Sequence, residues 1–167
     1  IEEYGSGPLR LQAGLRYDLA WYEPRRTSFI TIGTERVATE PRAFGSFSGS
    51  LGLLWEVAAG IKVGGSVARA YRTPDFNELY SNGPHLASNA YEVGDPRLDE
   101  EAGLGVDAFL RIDRERIHVE LAGFSNRLSN YIFPSSRGRA VIGRQGGRPV
   151  FQFTNEGARF SGAEGVL

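Results

Sequence analysis

The sequence predicts an all-β chain, an antiparallel wall of long up-and-down strands belonging to a transmembrane β-barrel. Three observations predict it: apolar residues recur at every second position over long runs, those runs exceed the length of soluble strands, and their connections alternate between long and short. The 167 residues are 41% hydrophobic and 23% charged, which excludes a disordered tail. No apolar run approaches the roughly 18 residues of a membrane-spanning helix. A net charge of -1 argues against a nucleic-acid partner. With no cysteine, disulfides and thiolate metal sites are ruled out. The chain opens on Ile1 with no methionine anywhere, so that end reads as a processed terminus or the cut edge of a longer protein. The acidic start Glu2-Glu3 is not a signal peptide.

Taken in order, the first strand runs from Leu9 to Tyr22. Its odd positions are Leu9, Leu11, Ala13, Leu15, Tyr17, Leu19 and Trp21, against Arg10, Gln12, Gly14, Arg16 and Asp18 on the other face. The odd phase recurs through Phe47, Leu51, Leu53 and Trp55, then through Ile61, Val63 and Val67. A fourth strand carries Leu104, Val106, Ala108 and Leu110 opposite Glu101, Asp107 and Arg111. The fifth begins Ile117, Val119, Leu121 and is expected to bulge near Gly123-Phe124; the sixth starts at Val150. Soluble strands average about 5–6 residues, whereas strands crossing a bilayer need about 9–11. Residues 23–42, 73–97 and 132–150 are expected as long loops, and 56–60 and 112–116 as short turns. Trp21, Tyr22, Phe44, Tyr71, Tyr131, Phe151 and Phe153 lie at the long-loop ends and Trp55 at a short turn, as the two levels of an aromatic girdle. Six such strands leave open edges and enclose no lumen, so a larger barrel is expected around them.

Within the loop at 73–97, Pro74 ends a strand, Asp75 caps a helical turn over Phe76–Tyr80, and Asn82-Gly83-Pro84 and Asp95-Pro96 read as turns. Arg69-Ala70-Tyr71-Arg72-Thr73-Pro74-Asp75-Phe76-Asn77-Glu78-Leu79-Tyr80 resembles the "RaP…EL(Y/F)" segment of TonB-dependent outer-membrane receptors. Gly94-Asp95-Pro96-Arg97-Leu98-Asp99-Glu100-Glu101 is similar to their "G-N-P-x-L-x-x-E" motif, with Asp95 for the usual Asn. Gly14-Leu15-Arg16-Tyr17-Asp18, Asn130-Tyr131-Ile132 and the stretch Asn155 to Glu164 also match family patterns, in family order. The motif positions are thus Arg72, Pro74, Glu78, Leu79, Asp95, Pro96, Leu98 and Glu101. What the resemblance implies is a roughly 22-stranded barrel with a plug domain, of which residues 1–167 form a part lacking the plug and the C-terminal strands. It further implies a Gram-negative outer-membrane location, a setting of lipid and lipopolysaccharide, and import energised by the TonB–ExbB–ExbD complex through the plug.

The stretch Tyr80 to Leu86 is most similar to the zinc and haem receptors of that family. His85 holds the place of the histidine found between the two motifs in haem receptors, and Ser81-Asn82-Gly83-Pro84-His85 matches the zinc receptors more closely. Asp75, Glu78, Glu92 and Asp95 add carboxylates, a set suited to zinc, while a lone imidazole suits haem iron. The competing reading is a solvated acidic loop. His118 is expected on the lumen wall, and Arg137, Arg139, Arg144 and Arg148 form a basic loop that attracts anionic chelates or lipid phosphates, or is simply solvated. No tightly bound cofactor is expected, the metal or chelate being cargo. Nucleophile elbows, Walker loops and H-E-x-x-H are absent, so no enzyme is expected. The competing functions are a siderophore receptor of the same family, a soluble lipocalin-like binding module and a passive porin.

Overall fold

A computed structural model describes residues 2–136 and 148–167. The long strands are β2 (Leu9–Tyr22), β5 (Arg42–Ala58), β6 (Ile61–Arg72), β9 (Glu101–Arg114), β10 (Ile117–Ser136) and β11 (Val150–Val166). They lie side by side in that order, each antiparallel to the next. A short strand β1 (Glu2–Ser6) pairs with β2, and β3 (Phe29–Ile32) and β4 (Glu35–Ala38) form a separate hairpin. Helix α1 (Phe76–Tyr80) and the hairpin of β7 (Asn82–His85) and β8 (Ala90–Val93) follow β6.

Register settles the faces. Leu11, Leu53, Gly65, Ala108, Gly123 and Ala163 stand in one row across the sheet, and Leu9, Trp55, Val63, Leu110, Leu121 and Gly165 in the next. Leu15, Trp21, Phe47, Leu51 and Val106 on this face are all exposed. So wide an apolar surface is unsuited to water and fits lipid. The opposite face carries Arg16, Ser50, Ser66, Asp107, Arg111 and Glu120, with Ser66 Oγ donating to Asp107 at 2.6 Å.

Several expectations need correction. The turns at 56–60 and 112–116 are tighter, because the ladder continues to Ala58–Ile61 and Arg114–Ile117. Gly60 makes the first possible at φ +73, where an added Cβ would lie 2.2 Å from the Asp113 carbonyl oxygen. Ahead of the first expected strand stands β1, joined to β2 through a tight turn at Gly7-Pro8. The connection at 23–42 contains the β3–β4 hairpin, and 132–136 extend β10 instead of opening a loop.

Pairing through Gly123 and Phe124 is unbroken; the bulge falls later, between Leu128 and Tyr131, where Asn130 has φ +57. What changes at Phe124 is composition alone: its ring lies on the polar face over Gly162, and Ser125 takes the outward place. The girdle is also smaller than expected. Trp21, Trp55 and Tyr131 are exposed, whereas Tyr22, Phe44 and Phe153 gather at the buried cluster of Leu79, Leu98 and Ile132. Tyr22 and Phe44 stand one position out of phase with Trp21 and Ala43, which turns them to the inner face. Arg137, Arg139 and Arg144 lie outside the described residues; Arg148 Nε donates to Asn89 Oδ1 at 3.3 Å.

Candidate functional site

The segment between β6 and β9 folds against the inner face at the long-connection end, and its own sequence explains how. Asp75 accepts the Asn77 N–H at 2.9 Å while Glu78 accepts the Asp75 N–H at 2.7 Å, a reciprocal cap for a helix of five residues. Leu79 is wholly buried with Leu98, Phe44 and Ile132, and Pro74 is buried beside the helix start. Gly94 closes the segment onto α1. Its N–H donates to the Ser81 carbonyl at 2.7 Å, and a Cβ there would come within 2.6 Å of Leu79 backbone.

Two arginines fasten this cover to the wall. Arg72, at the end of β6, donates to both oxygens of Glu101 at 2.6 and 2.7 Å and to both of Glu78 at 2.9 and 3.1 Å. Glu101 in turn accepts the Ile132 N–H at 2.6 Å, so one guanidinium joins β6, α1, β9 and β10. Bidentate charge-assisted bonds of this kind fix orientation as well as adding energy. Arg42, at the start of β5, donates to the Pro96 carbonyl and to the Leu98 carbonyl at 3.1 Å, and pairs with Asp99. Its guanidinium lies 4.8 Å from the Phe44 ring centre. Asp95 holds Arg97 through contacts of 2.9 Å, and those hydrogen bonds raise the Arg97 pKa above its ordinary value. Arg97 also reaches Glu35 on β4 at 2.8 Å. Tyr80 donates to the Glu40 carbonyl at 2.8 Å, and burial pushes its phenol pKa up.

All eight motif positions therefore belong to this fastening. Asp75, Glu78 and Asp95, expected as carboxylate donors, are engaged by the helix cap, Arg72 and Arg97 respectively. His85 and Glu92 stand apart from them on the β7–β8 hairpin. Asn82-Gly83-Pro84 is strand there, paired with Tyr91-Glu92-Val93, and the turn falls at 86–89 instead. His85 Nδ1 lies 3.1 Å from Glu92 Oε1 and 3.2 Å from Ser88 Oγ, which itself donates to Glu92 at 2.8 Å. The His85 side chain is 55% exposed and Glu92 16%. Among the described residues Nε2 has no hydrogen-bond partner, and no three His, Cys, Asp or Glu side chains group as metal ligands. His118 pairs with Asp113 at 3.6 Å beside the short turn.

Close by, the Phe76 ring packs tilted against Tyr80 at 5.0 Å and meets Tyr22 edge-on at 6.3 Å, with Phe76 exposed. Sequence reasoning missed Arg42, Arg97 and Ser88. Ser88 follows His85 by three residues, a spacing that signals a turn but no partner.

The family model of TonB dependent receptor-like β-barrels matches residues 2–167. The chain belongs to this family. That places it in the Gram-negative outer membrane as a barrel segment, in a family whose members are transporters and not enzymes. The lipocalin-like and porin alternatives fall with it. Solved structures of similar fold include the hemophore receptor HasR of Serratia marcescens, determined with its hemophore HasA and heme. It is 18% identical, with a TM-score of 0.66 over 94% of this chain and 28% of HasR. The copper transporter OprC is 24% identical, with a TM-score of 0.69 over 95% of this chain and 24% of OprC. The siderophore receptor PirA from Pseudomonas aeruginosa is 20% identical, with a TM-score of 0.57 over 94% of this chain and 30% of PirA. The chain thus spans 24% to 30% of the length of these structures.

Proposed function

We propose that residues 1–167 are a stretch of wall and extracellular cover from a TonB-dependent receptor that imports a metal chelate, with haem favoured and zinc second. Import would be driven by the TonB–ExbB–ExbD complex acting on a plug domain. The observation that carries this reading is the His85–Glu92 pair. A carboxylate at 3.1 Å from Nδ1 favours the tautomer that leaves the Nε2 lone pair available. An exposed imidazole prepared in this way needs no second protein ligand to take an axial position on haem iron. Zinc needs about four donors, so the remainder would come from beyond the described residues.

A second reading, uptake of an organic siderophore, is favoured by the aromatic group in which exposed Phe76 meets half-buried Tyr80 and Tyr22, which suits a planar or aromatic chelate. The test is titration of the purified full-length receptor with haem and, separately, with zinc, comparing wild type, His85→Ala and Glu92→Gln. Haem binding with a shifted Soret band, lost in His85→Ala and weakened in Glu92→Gln, supports the main reading. Zinc binding weakened by the same substitutions moves the cargo to zinc. Should neither ligand respond to His85→Ala, capture by His85 is wrong and the organic chelate is preferred.

A further inference from the structure

Outward of the wall, the register sets a second group that the cargo site does not use. One row across the sheet reads Leu15, Gly49, Arg69, Leu104, Arg127 and Arg159. Arg127 and Arg159 are direct cross-strand partners on the apolar face, two like charges placed opposite each other. Such a pair destabilises a sheet unless something neutralises it. Neither forms an ion pair or a side-chain hydrogen bond among the described residues, and both are exposed. Glu156, the nearest carboxylate along β11, stands opposite Tyr131 and pairs with neither. Arg69, two strands away, lies over Tyr71 at 5.2 Å.

The position in the bilayer follows from the same strands. Towards the short turns the outward residues of β10 are Gly123, Leu121 and Val119, all apolar or small; towards the long connections they become Ser125, Arg127 and Ser129. An arginine facing lipid at the midplane costs about 2–4 kcal/mol and almost nothing at the interface. Two in register therefore mark the headgroup level of the outer leaflet. Just there, the bulge at Asn130 separates β10 from β11, and a cavity of about 560 Å³ opens, lined among others by Arg127, Ser129, Asn130, Gly157 and Arg159.

We propose that Arg127 and Arg159, with Ser129 and Asn130, form a binding site for the phosphate of an outer-leaflet lipid headgroup. Two guanidiniums offer planar pairs of N–H donors suited to phosphate oxygens; the Ser129 hydroxyl adds a further donor, as does the second N–H of the Asn130 amide, whose first is given to the Glu100 carbonyl at 3.3 Å. The lipid's own chains would then lie along Val106 and Leu121 below. A free anion lacks that apolar contact, so the site favours phosphate presented on lipid.

The test measures binding of fluorescent bisphosphorylated lipid A to the detergent-solubilised full-length receptor, with its phosphate-free analogue and inorganic phosphate as competitors. Arg127→Gln/Arg159→Gln should weaken binding by about tenfold or more. Arg16→Gln/Arg111→Gln, an equal change of charge on the inner face, should leave it unaltered. Removing two facing like charges relieves the sheet, so the outward variant should still fold; Arg159→Lys, which keeps the charge and loses the fork, should show a several-fold loss in any event. The proposal is overturned if both double variants weaken binding alike, if Arg159→Lys binds as wild type, or if inorganic phosphate or the phosphate-free analogue competes as well as lipid A.

Discussion

Arg72 is the residue on which the cover most depends, and Arg72→Met is the substitution that tests it. The guanidinium gives two hydrogen bonds to Glu101 and two to Glu78, all between 2.6 and 3.1 Å. Glu101 is 8% exposed, so without Arg72 its carboxylate keeps a single partner, the Ile132 N–H. Stripping one partner from a buried pair costs about 3–5 kcal/mol. The Arg72 side chain is 44% exposed, and water entering its place screens the loss to roughly 2–3 kcal/mol. Glu101→Gln retains an oxygen for the Ile132 N–H and should cost about 1–2 kcal/mol. The two changes act on one contact, so the double variant should fall short of their sum by more than about 1 kcal/mol. The assay is urea unfolding of the full-length receptor in detergent, joined to limited proteolysis across residues 73–100, since the same guanidinium holds α1 down. Arg111→Met, which breaks the exposed pair with Glu120 at 2.9 Å, serves as the reference and should leave both readouts in place. If Arg72→Met behaves no differently from that reference, or if the double variant is additive, the fastening is not what holds the cover.

Gly94→Ala should loosen α1, because the new methyl meets Leu79 backbone at 2.6 Å; faster cleavage between residues 73 and 100 with the barrel's unfolding midpoint little changed is the expected result. Asp75→Ala should cost about 1 kcal/mol of local stability through the lost cap, read as faster hydrogen exchange at the Asn77 amide. Val106→Arg, one pleat from the middle of the outward face of β9, should lower refolding stability in liposomes by about 2 kcal/mol, while Asp107→Asn on the inner face should be tolerated.

How far the sequence reaches can be seen strand by strand. Leu9–Tyr22 is legible to the residue because one face is uniformly apolar and Pro24 follows just beyond it. The cap of α1 is equally legible, since Asp75 and Glu78 are three apart and interact locally. The β7–β8 hairpin is not. Asn82-Gly83-Pro84 carries every local mark of a turn, and its strand conformation depends on pairing with residues 91–93, themselves joined in parallel to β11 at Val150–Gln152. Phe124 misleads for a related reason: an aromatic tolerated on the lumen face because Gly162 opposite leaves room for it looks like a break in register. In the site, sequence shows where the carboxylates are but not what they face. Arg42 meets Asp99 across 57 positions and Arg97 meets Glu35 across 62, distances over which no local pattern carries information. His85 and Glu92 were legible as candidates, and their meeting across a hairpin was not.

The account rests on a membrane wall whose two faces alternate along each strand, and the absence of cysteine in the chain permits a direct measurement. Val106→Cys and Asp107→Cys, each labelled with the same environment-sensitive fluorophore in the reconstituted receptor, should respond oppositely to quenchers. The label at 106 should be quenched by brominated lipid and shielded from aqueous iodide, and the label at 107 should be quenched by iodide and not by lipid. Equal quenching at both positions, or the reverse assignment, would contradict the wall and with it the placement of the cargo site inside and the lipid site outside.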